Sequence, residues 1–306
     1  MVAVALRRLT AATAALAAAA AQAHDVAGAP LAAVSWDLPW TFEPWVIGCL
    51  ALSVGGYLLG LSRLWCHAGR GRGVGVLPSV AFVAGWAFLV LALVSPLDAL
   101  GGQLFSAHMV QHELLMVLVA PLMVLGRPLA VWAWALPAGW RRHVGAVFHH
   151  PWWRKPWKLL TAPLCAWTVH AAALWLWHVP AWFEAALSSN LVHTWQHISF
   201  LFSALLFWWS ALGQVARPAR AAAMAYLFTT MLHTSALGAL LTLSPVVWYP
   251  SYLSTTLVLG WDALQDQQLG GLVMWVPAGL AYLATGLALA AQLLRAEGLP
   301  VRQTAA

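Results

Sequence analysis

The chain has 306 residues, of which 62% are hydrophobic and 8% are charged, and its formal net charge is +6. Soluble globular domains contain roughly 25% charged residues, so this composition excludes an ordinary soluble domain and a disordered chain. Only three cysteines are present, which excludes a small scaffold held together by disulfides. We therefore expect an integral membrane protein, embedded in the lipid bilayer.

The N-terminus has the pattern of a secretory signal. Arg7 and Arg8 precede an Ala-rich apolar stretch that ends in Ala-Gln-Ala, which fits the small-residue rule for signal peptidase. We expect a signal peptide over residues 1–23 and an extracytoplasmic segment over residues 24–41. An uncleaved first span is the alternative, and it leaves the remaining topology unchanged because Arg7 and Arg8 stay inside.

Seven further apolar segments follow, each close to the length of about 20 residues that a transmembrane helix needs. These segments run approximately over residues 42–65, 77–94, 107–125, 159–178, 192–212, 221–243 and 272–294. We therefore expect an all-α, polytopic bundle of about seven transmembrane helices over residues 42–295. A cytoplasmic tail is expected over residues 296–306.

The charged residues orient this bundle. Thirteen of the 15 Lys and Arg residues lie in the connections on one side, and the other two lie in the predicted signal peptide. The opposite connections contain Asp and Glu but no Lys or Arg. By the positive-inside rule, the mature N-terminus is outside and the C-terminus is cytoplasmic. The net charge therefore reflects membrane topology, and we expect no nucleic-acid partner.

The positions of cysteine and lysine exclude two further kinds of site. Cys49 and Cys165 lie within spans, Cys66 lies near a cytoplasmic end, and no C-x-x-C motif is present. Metal binding would thus have to use His and Met. Lys155 and Lys158 are the only lysines and lie outside the spans, which excludes a retinal Schiff base in a helix.

Histidines in the outer half of the predicted bundle point to a metal site. The third span carries His108 and His112, and the fifth carries His193 and His197. Residues four apart share one helical face, so the two imidazoles of a pair can bind one metal ion. At 1.5 Å per residue, the first member of each pair lies within about one turn of the outer interface and the second about 5 to 9 Å deeper.

Other candidate ligands fall near these pairs. His178 ends the fourth span at the outer surface, Met274 lies near the outer start of the seventh, and His233 lies deeper, with His170 and Met116. Imidazole and thioether ligands without an oxygen-rich cage favour copper, as Cu(I), over zinc or haem iron. The predicted ligands are His108, His112, His193, His197, His178, His233 and Met274, with Met116 as a weaker candidate.

Two other interpretations of these residues stay open. Histidines at membrane depth also serve as hydrogen-bonding groups between helices. A seven-span zinc hydrolase would use histidines together with Ser106 and an aspartate such as Asp98, Asp262 or Asp266, although no strict nucleophile motif is present. Glu113, the only acid within a span, follows His112 and could tune the site or relay protons.

Three motifs follow one another along the chain. The first comprises SPLD, FSAHMVQH, AP and LGRP within residues 95–128. The second comprises LWHVP and HTWQH within residues 176–197, and the third is DQQLGGLVMWVP over residues 266–277. Together they resemble the multi-span CtaG-type cytochrome c oxidase assembly factors, first associated with caa-type oxidases. The resemblance extends over about residues 40–295.

The resemblance implies a non-enzymatic, multi-pass protein of the bacterial cytoplasmic membrane that helps to mature haem-copper oxidase. It also implies a role in copper delivery, with a haem-copper oxidase subunit or another copper-handling protein as partner. Two alternatives within binding proteins remain. A copper transporter would use His170 and His233 as lower steps, and a haem-binding protein would use His112 and His197 as axial ligands.

Overall fold

The computed structural model describes residues 39–213 and 219–297, and in these ranges the chain is helical with short connections. The predicted signal peptide over residues 1–23 lies outside the described residues. So do nearly all of the N-terminal segment predicted over residues 24–41 and nearly all of the tail predicted over residues 296–306.

The described part of the chain forms long helices joined by several short ones. Six of the described helices begin with proline, whose fixed φ suits the first helical position. In chain order the helices are α1 (Pro44–Ala68), α2 (Val76–Val94), α3 (Pro96–Gly101), α4 (Phe105–Leu125), α5 (Pro128–Ala135), α6 (Ala138–His149), α7 (Pro151–Leu160), α8 (Pro163–Trp177), α9 (Pro180–Ser188), α10 (Asn190–Leu212), α11 (Ala219–Thr242), α12 (Tyr252–Val258) and α13 (Ala263–Glu297).

The structure supports a multi-pass membrane protein with fewer clear spans than the sequence predicts. By length and composition, α1, α2, α4, α11 and α13 are able to cross a membrane. Helices α7 and α8 form a sixth candidate span, bent by 61° at the break between them. Helix α10 is long enough, at 23 residues, but two histidines and a glutamine lower its hydropathy. The span predicted over residues 192–212 therefore stays a prediction.

Helix α13 begins earlier than its apolar sequence indicates. The apolar sequence predicts a start near residue 272, whereas the helix begins at Ala263. Asp262 accepts a hydrogen bond from Gln265 N at 2.9 Å, and Asp266 and Gln267 are buried inside the bundle. The first turns of α13 are thus buried through polar contacts, which hydropathy does not reveal.

A π-helical segment interrupts α4 over Leu114–Val119. In this segment Ala120 N bonds to Leu115 O, five residues earlier. Pro121 has no N–H, so the next carbonyl in the same register, that of Met116, lacks its donor. Trp208 of α10 supplies the donor instead, through Nε1 at 2.7 Å. The proline defect therefore connects α4 to α10.

Helix α4 lies at the centre of the described bundle and contacts α2, α10 and α13. Helix α10 also packs against α8 and α9, whereas α1 packs mainly against α5. This arrangement brings the histidine-bearing faces of α4 and α10, and the end of α8, toward one another.

Candidate metal centre

Five histidines meet inside the bundle. Helix α4 contributes His108 and His112, α10 contributes His193 and His197, and His178 directly follows α8. The ring centroids of His108 and His112 are 4.3 Å apart, and those of His193 and His197 are 4.1 Å apart. Each H-x-x-x-H pair therefore presents its two imidazoles side by side, as its spacing predicts.

The two pairs also contact each other across the helix interface. Ring centroids are 5.2 Å apart for His108 and His193, and 5.5 Å apart for His112 and His197. The His178 ring lies 6.4 Å from that of His112. The five rings therefore form one contiguous group, which we call the histidine cluster.

Three members of the histidine cluster have the separation expected for a shared cation. One nitrogen from each of His108, His193 and His197 lies within 4.8 Å of those of the other two. Imidazole nitrogens around a tetrahedral zinc-sized ion lie about 3.4 Å apart, for bonds of about 2.0–2.1 Å. Small side-chain rotations thus suffice for the three residues to hold one ion.

The cluster nitrogens that point inward are buried and lack hydrogen-bond partners among the described residues. This holds for Nε2 of all five histidines and also for Nδ1 of His112. A buried polar atom without a partner costs about 1–3 kcal/mol. Neutral imidazoles whose unpartnered nitrogens are gathered in one place can bind a metal cation.

Backbone carbonyls orient two of the imidazoles. His178 Nδ1 lies 2.7 Å from Leu174 O, and His108 Nδ1 lies 3.3 Å from Gly101 O. A carbonyl only accepts hydrogen bonds, so each Nδ1 carries the hydrogen and each Nε2 keeps its lone pair. Histidines that bind metals usually have their second nitrogen engaged in this way.

Tyr252 of α12 supports the same orientation from outside the spans. Its hydroxyl donates to Gly101 O at 2.8 Å and lies 3.2 Å from His108 Nδ1. Burial raises the pKa of the Tyr252 phenol well above its ordinary value, so the phenol stays neutral and remains a donor. No pattern in the sequence distinguishes this tyrosine as part of the site.

Two buried glutamines were also missed, although the sequence contains a signal for them. Both histidine pairs read H-x-x-Q-H, with Gln111 in α4 and Gln196 in α10. Gln111 Nε2 donates to Ala92 O and to Asp98 Oδ1, both at 2.7 Å. Gln196 is fully buried beside His108. The repeated glutamine would have indicated that each pair includes a third inward-facing polar residue.

Asp266 and Ser106, which we considered for a hydrolase, participate in a helix cap. The Asp266 carboxylate accepts hydrogen bonds from Phe105 N at 2.6 Å and from Ser106 N at 3.2 Å. The Ser106 hydroxyl also donates to this carboxylate. Asp266 of α13 thus binds the N-terminus of α4, where exposed amides and the helix dipole favour a negative charge.

The structure places the other predicted ligands outside the histidine cluster. His233 of α11 lies against Trp167, with ring centroids 5.3 Å apart, and interacts electrostatically with His170. Met274 packs in an apolar cluster with aromatic side chains such as Phe105. Met116 packs in a second apolar cluster that contains Trp208 and Tyr282 of α13. Glu113 is buried within electrostatic range of Tyr282.

Curated relatives of the chain occur in mycobacteria. Uncharacterized proteins of Mycobacterium bovis and Mycobacterium tuberculosis are each 28% identical over 265 residues, which are 84% of this chain and 40% of theirs. An uncharacterized protein of Mycobacterium leprae is 27% identical over 270 residues, with the same coverage. The chain thus spans 40% of the length of the relatives it matches. No solved structure matches the chain.

The sequence profile of one protein family covers most of the chain. That family is described as the cytochrome c oxidase caa3 assembly factor, and its profile matches residues 55–296. The matched region includes all five histidines of the cluster and the three motifs noted in the sequence. The resemblance is therefore confirmed, and this chain belongs to the cytochrome c oxidase caa3 assembly factor family.

Proposed function

We propose that this protein binds Cu(I) as cargo in the histidine cluster, on the outer side of the bacterial cytoplasmic membrane, and passes it to a haem-copper oxidase subunit. Family membership supports the role in oxidase assembly. The convergence of five imidazoles whose Nε2 atoms are buried and unpartnered supports the copper role. His108, His193 and His197 are the proposed primary ligands, with His112 and His178 within reach.

The ligand chemistry suits a carrier that releases its metal. Neutral imidazole is a good ligand for copper, and transfer between imidazoles needs no carboxylate or thiolate to be displaced. A four-coordinate ion uses at most four ligands, whereas the cluster holds five imidazoles. The ion can therefore exchange one ligand at a time, and a receiving protein can replace them in the same way.

The geometry favours a small ion over haem. His112 and His197 have ring centroids 5.5 Å apart at an interplanar angle of 88°. Phe200 also packs 4.5 Å from the His112 ring. A porphyrin held between these two axial ligands would have to separate α4 from α10. A hydrolase reaction is also disfavoured, since Ser106 and Asp266 bond to each other in the cap of α4.

Anaerobic titration with Cu(I) against a chromophoric chelator tests the proposal. We expect the purified protein to bind one Cu(I) per chain and the His108→Ala/His197→Ala variant to bind none. The His143→Ala/His149→Ala variant is the matched control, because these exposed imidazoles bond only to carbonyls of their own helix. The same variants should be compared for oxidase activity in cells. Full copper binding by the first variant, or none by the unmodified protein, would refute the proposal.

A further inference from the structure

A cavity of about 380 Å³ adjoins the histidine cluster between α1, α2 and α10. Of the five clustered histidines, His193 and His197 line the cavity. The other three are at most 2% exposed and lie behind them. An ion that occupies the cavity would therefore meet the α10 pair before it reaches His108.

The cavity lies on the α10 side of α1, a helix that packs against α5 and α2. Gly60 allows α1 to approach α5, and a Cβ atom at this position would overlap the Val131 carbonyl oxygen. Toward the other end, Trp132 and Trp86 donate through Nε1 to Ser53 O and Leu50 O of α1. Beyond these contacts, the Glu43 end of α1 stands apart from α10, and the cavity fills the gap.

The wall of the cavity is largely apolar, but it contains two carboxylates. Glu43 and Asp98 both line it, and both interact electrostatically with His193. Glu43 Oε2 accepts a hydrogen bond from Trp45 Nε1 at 2.6 Å, which fixes the side chain in place. Asp98 Oδ1 is fixed in the same way by Gln111 Nε2. Carboxylates in a cleft with low-dielectric walls concentrate cations and speed their arrival.

We propose that this cavity is the route by which a metal cation reaches and leaves the histidine cluster, with Glu43 and Asp98 as its cation-attracting entrance. This inference rests on the proposed function, because it concerns how the metal ion enters and leaves the same histidine cluster. The cation passes from the carboxylates to His193 and His197 and then to His108. No redox step is involved, since the ion keeps its charge and only exchanges ligands.

Cys49 provides a direct test, because it is an exposed thiol in the wall of the cavity. The Cys66→Ser/Cys165→Ser variant leaves Cys49 for complete labelling with a bulky maleimide. The Cys49→Ser/Cys165→Ser variant is the control, since Cys66 is also exposed but lies near the other end of α1. Stopped-flow transfer of Cu(I) from a chromophoric chelator then gives the rate of uptake.

We expect the label on Cys49 to slow Cu(I) uptake by about tenfold or more without changing the final stoichiometry. The label on Cys66 should leave the rate unchanged. Uptake at the unlabelled rate by fully labelled Cys49 protein would overturn the route while leaving copper binding intact. If the unlabelled protein takes up no Cu(I), the proposed function fails, and the route fails with it.

A second comparison tests the entrance carboxylates. We expect the Glu43→Gln/Asp98→Asn variant to take up Cu(I) about three- to tenfold more slowly at low ionic strength, with the difference shrinking at high salt. Glu184→Gln is the control, because this acid bonds to Ser251 and does not line the cavity. Equal rates for the two variants at low salt would overturn the assignment of the entrance.

Discussion

Trp208 of α10 donates a hydrogen bond of 2.7 Å from Nε1 to the main-chain oxygen of Met116 in α4. Because Pro121 leaves this carbonyl without a helical donor, the indole compensates for a defect within a buried helix. The bond also fixes how α4 and α10 are rotated relative to each other. The faces that carry the two histidine pairs consequently meet.

Replacing Trp208 with phenylalanine should weaken both the fold and the site. We expect the Trp208→Phe variant to lose about 1–3 kcal/mol of stability, because the Met116 carbonyl becomes a buried acceptor without a donor. Thermal unfolding in detergent measures this loss, and Cu(I) titration measures its effect on affinity. Trp209→Phe is the control, as the neighbouring Trp209 packs against Trp157 of α7. Equal losses in the two variants would contradict the role given to the hydrogen bond.

The matching levels of the two histidine pairs could be predicted from sequence, whereas the direction in which each histidine points could not. Helical rise and the four-residue spacing are local properties, so they placed the pairs of α4 and α10, and also His178, at matching levels. His233 and Met274 were placed by the same reasoning, but the structure turns them toward Trp167 and an aromatic cluster. Helix rotation depends on distant contacts such as that of Trp208 with Met116, 92 residues apart.

Hydropathy describes two of the helices that bury polar groups poorly. Helix α10 is less apolar than a typical span because its inward face carries Gln196 as well as the histidines, and α13 begins before its apolar stretch because Asp266 caps α4. In both helices the polar residues bond or pack inside the bundle. The all-helical fold and the family were predictable from the sequence, and the assignment of metal ligands stays a prediction.

His233 should be dispensable for copper binding by the cluster. We expect His233→Ala to leave the affinity for the first Cu(I) within about threefold of the unmodified protein, whereas His193→Ala should weaken it by more than about tenfold. The reason is position, since His233 contacts Trp167 and His193 contacts His108. Anaerobic chelator competition gives both affinities. A larger effect at His233 than at His193 would show that the wrong set of ligands has been chosen.

Tyr252 should tune the site without binding the metal. The Tyr252→Phe variant loses the hydroxyl that bonds to Gly101 O beside His108, and such losses behind a ligand cost about 10- to 100-fold in metal affinity. Tyr57→Phe is the control, because the Tyr57 hydroxyl also donates to a buried carbonyl, that of Gly126, but far from the cluster. We expect similar losses of thermal stability in both variants and weaker Cu(I) binding only in Tyr252→Phe. Equal affinities would contradict this role of Tyr252.

Substitution of Ser106 distinguishes the assembly-factor hypothesis from the hydrolase hypothesis. The Ser106→Ala variant removes one of the hydrogen bonds to Asp266 and leaves both backbone amides bonded to the carboxylate. We therefore expect a loss of about 1 kcal/mol in stability, with Cu(I) binding and oxidase activity in cells close to those of the unmodified protein. Asp266→Asn provides the comparison, because removing the charge weakens the whole cap of α4 and should cost about 1–2 kcal/mol. If the Ser106→Ala variant accumulates normally yet abolishes oxidase maturation, the hydroxyl has a chemical role. That result would favour a hydrolase over a non-enzymatic assembly factor.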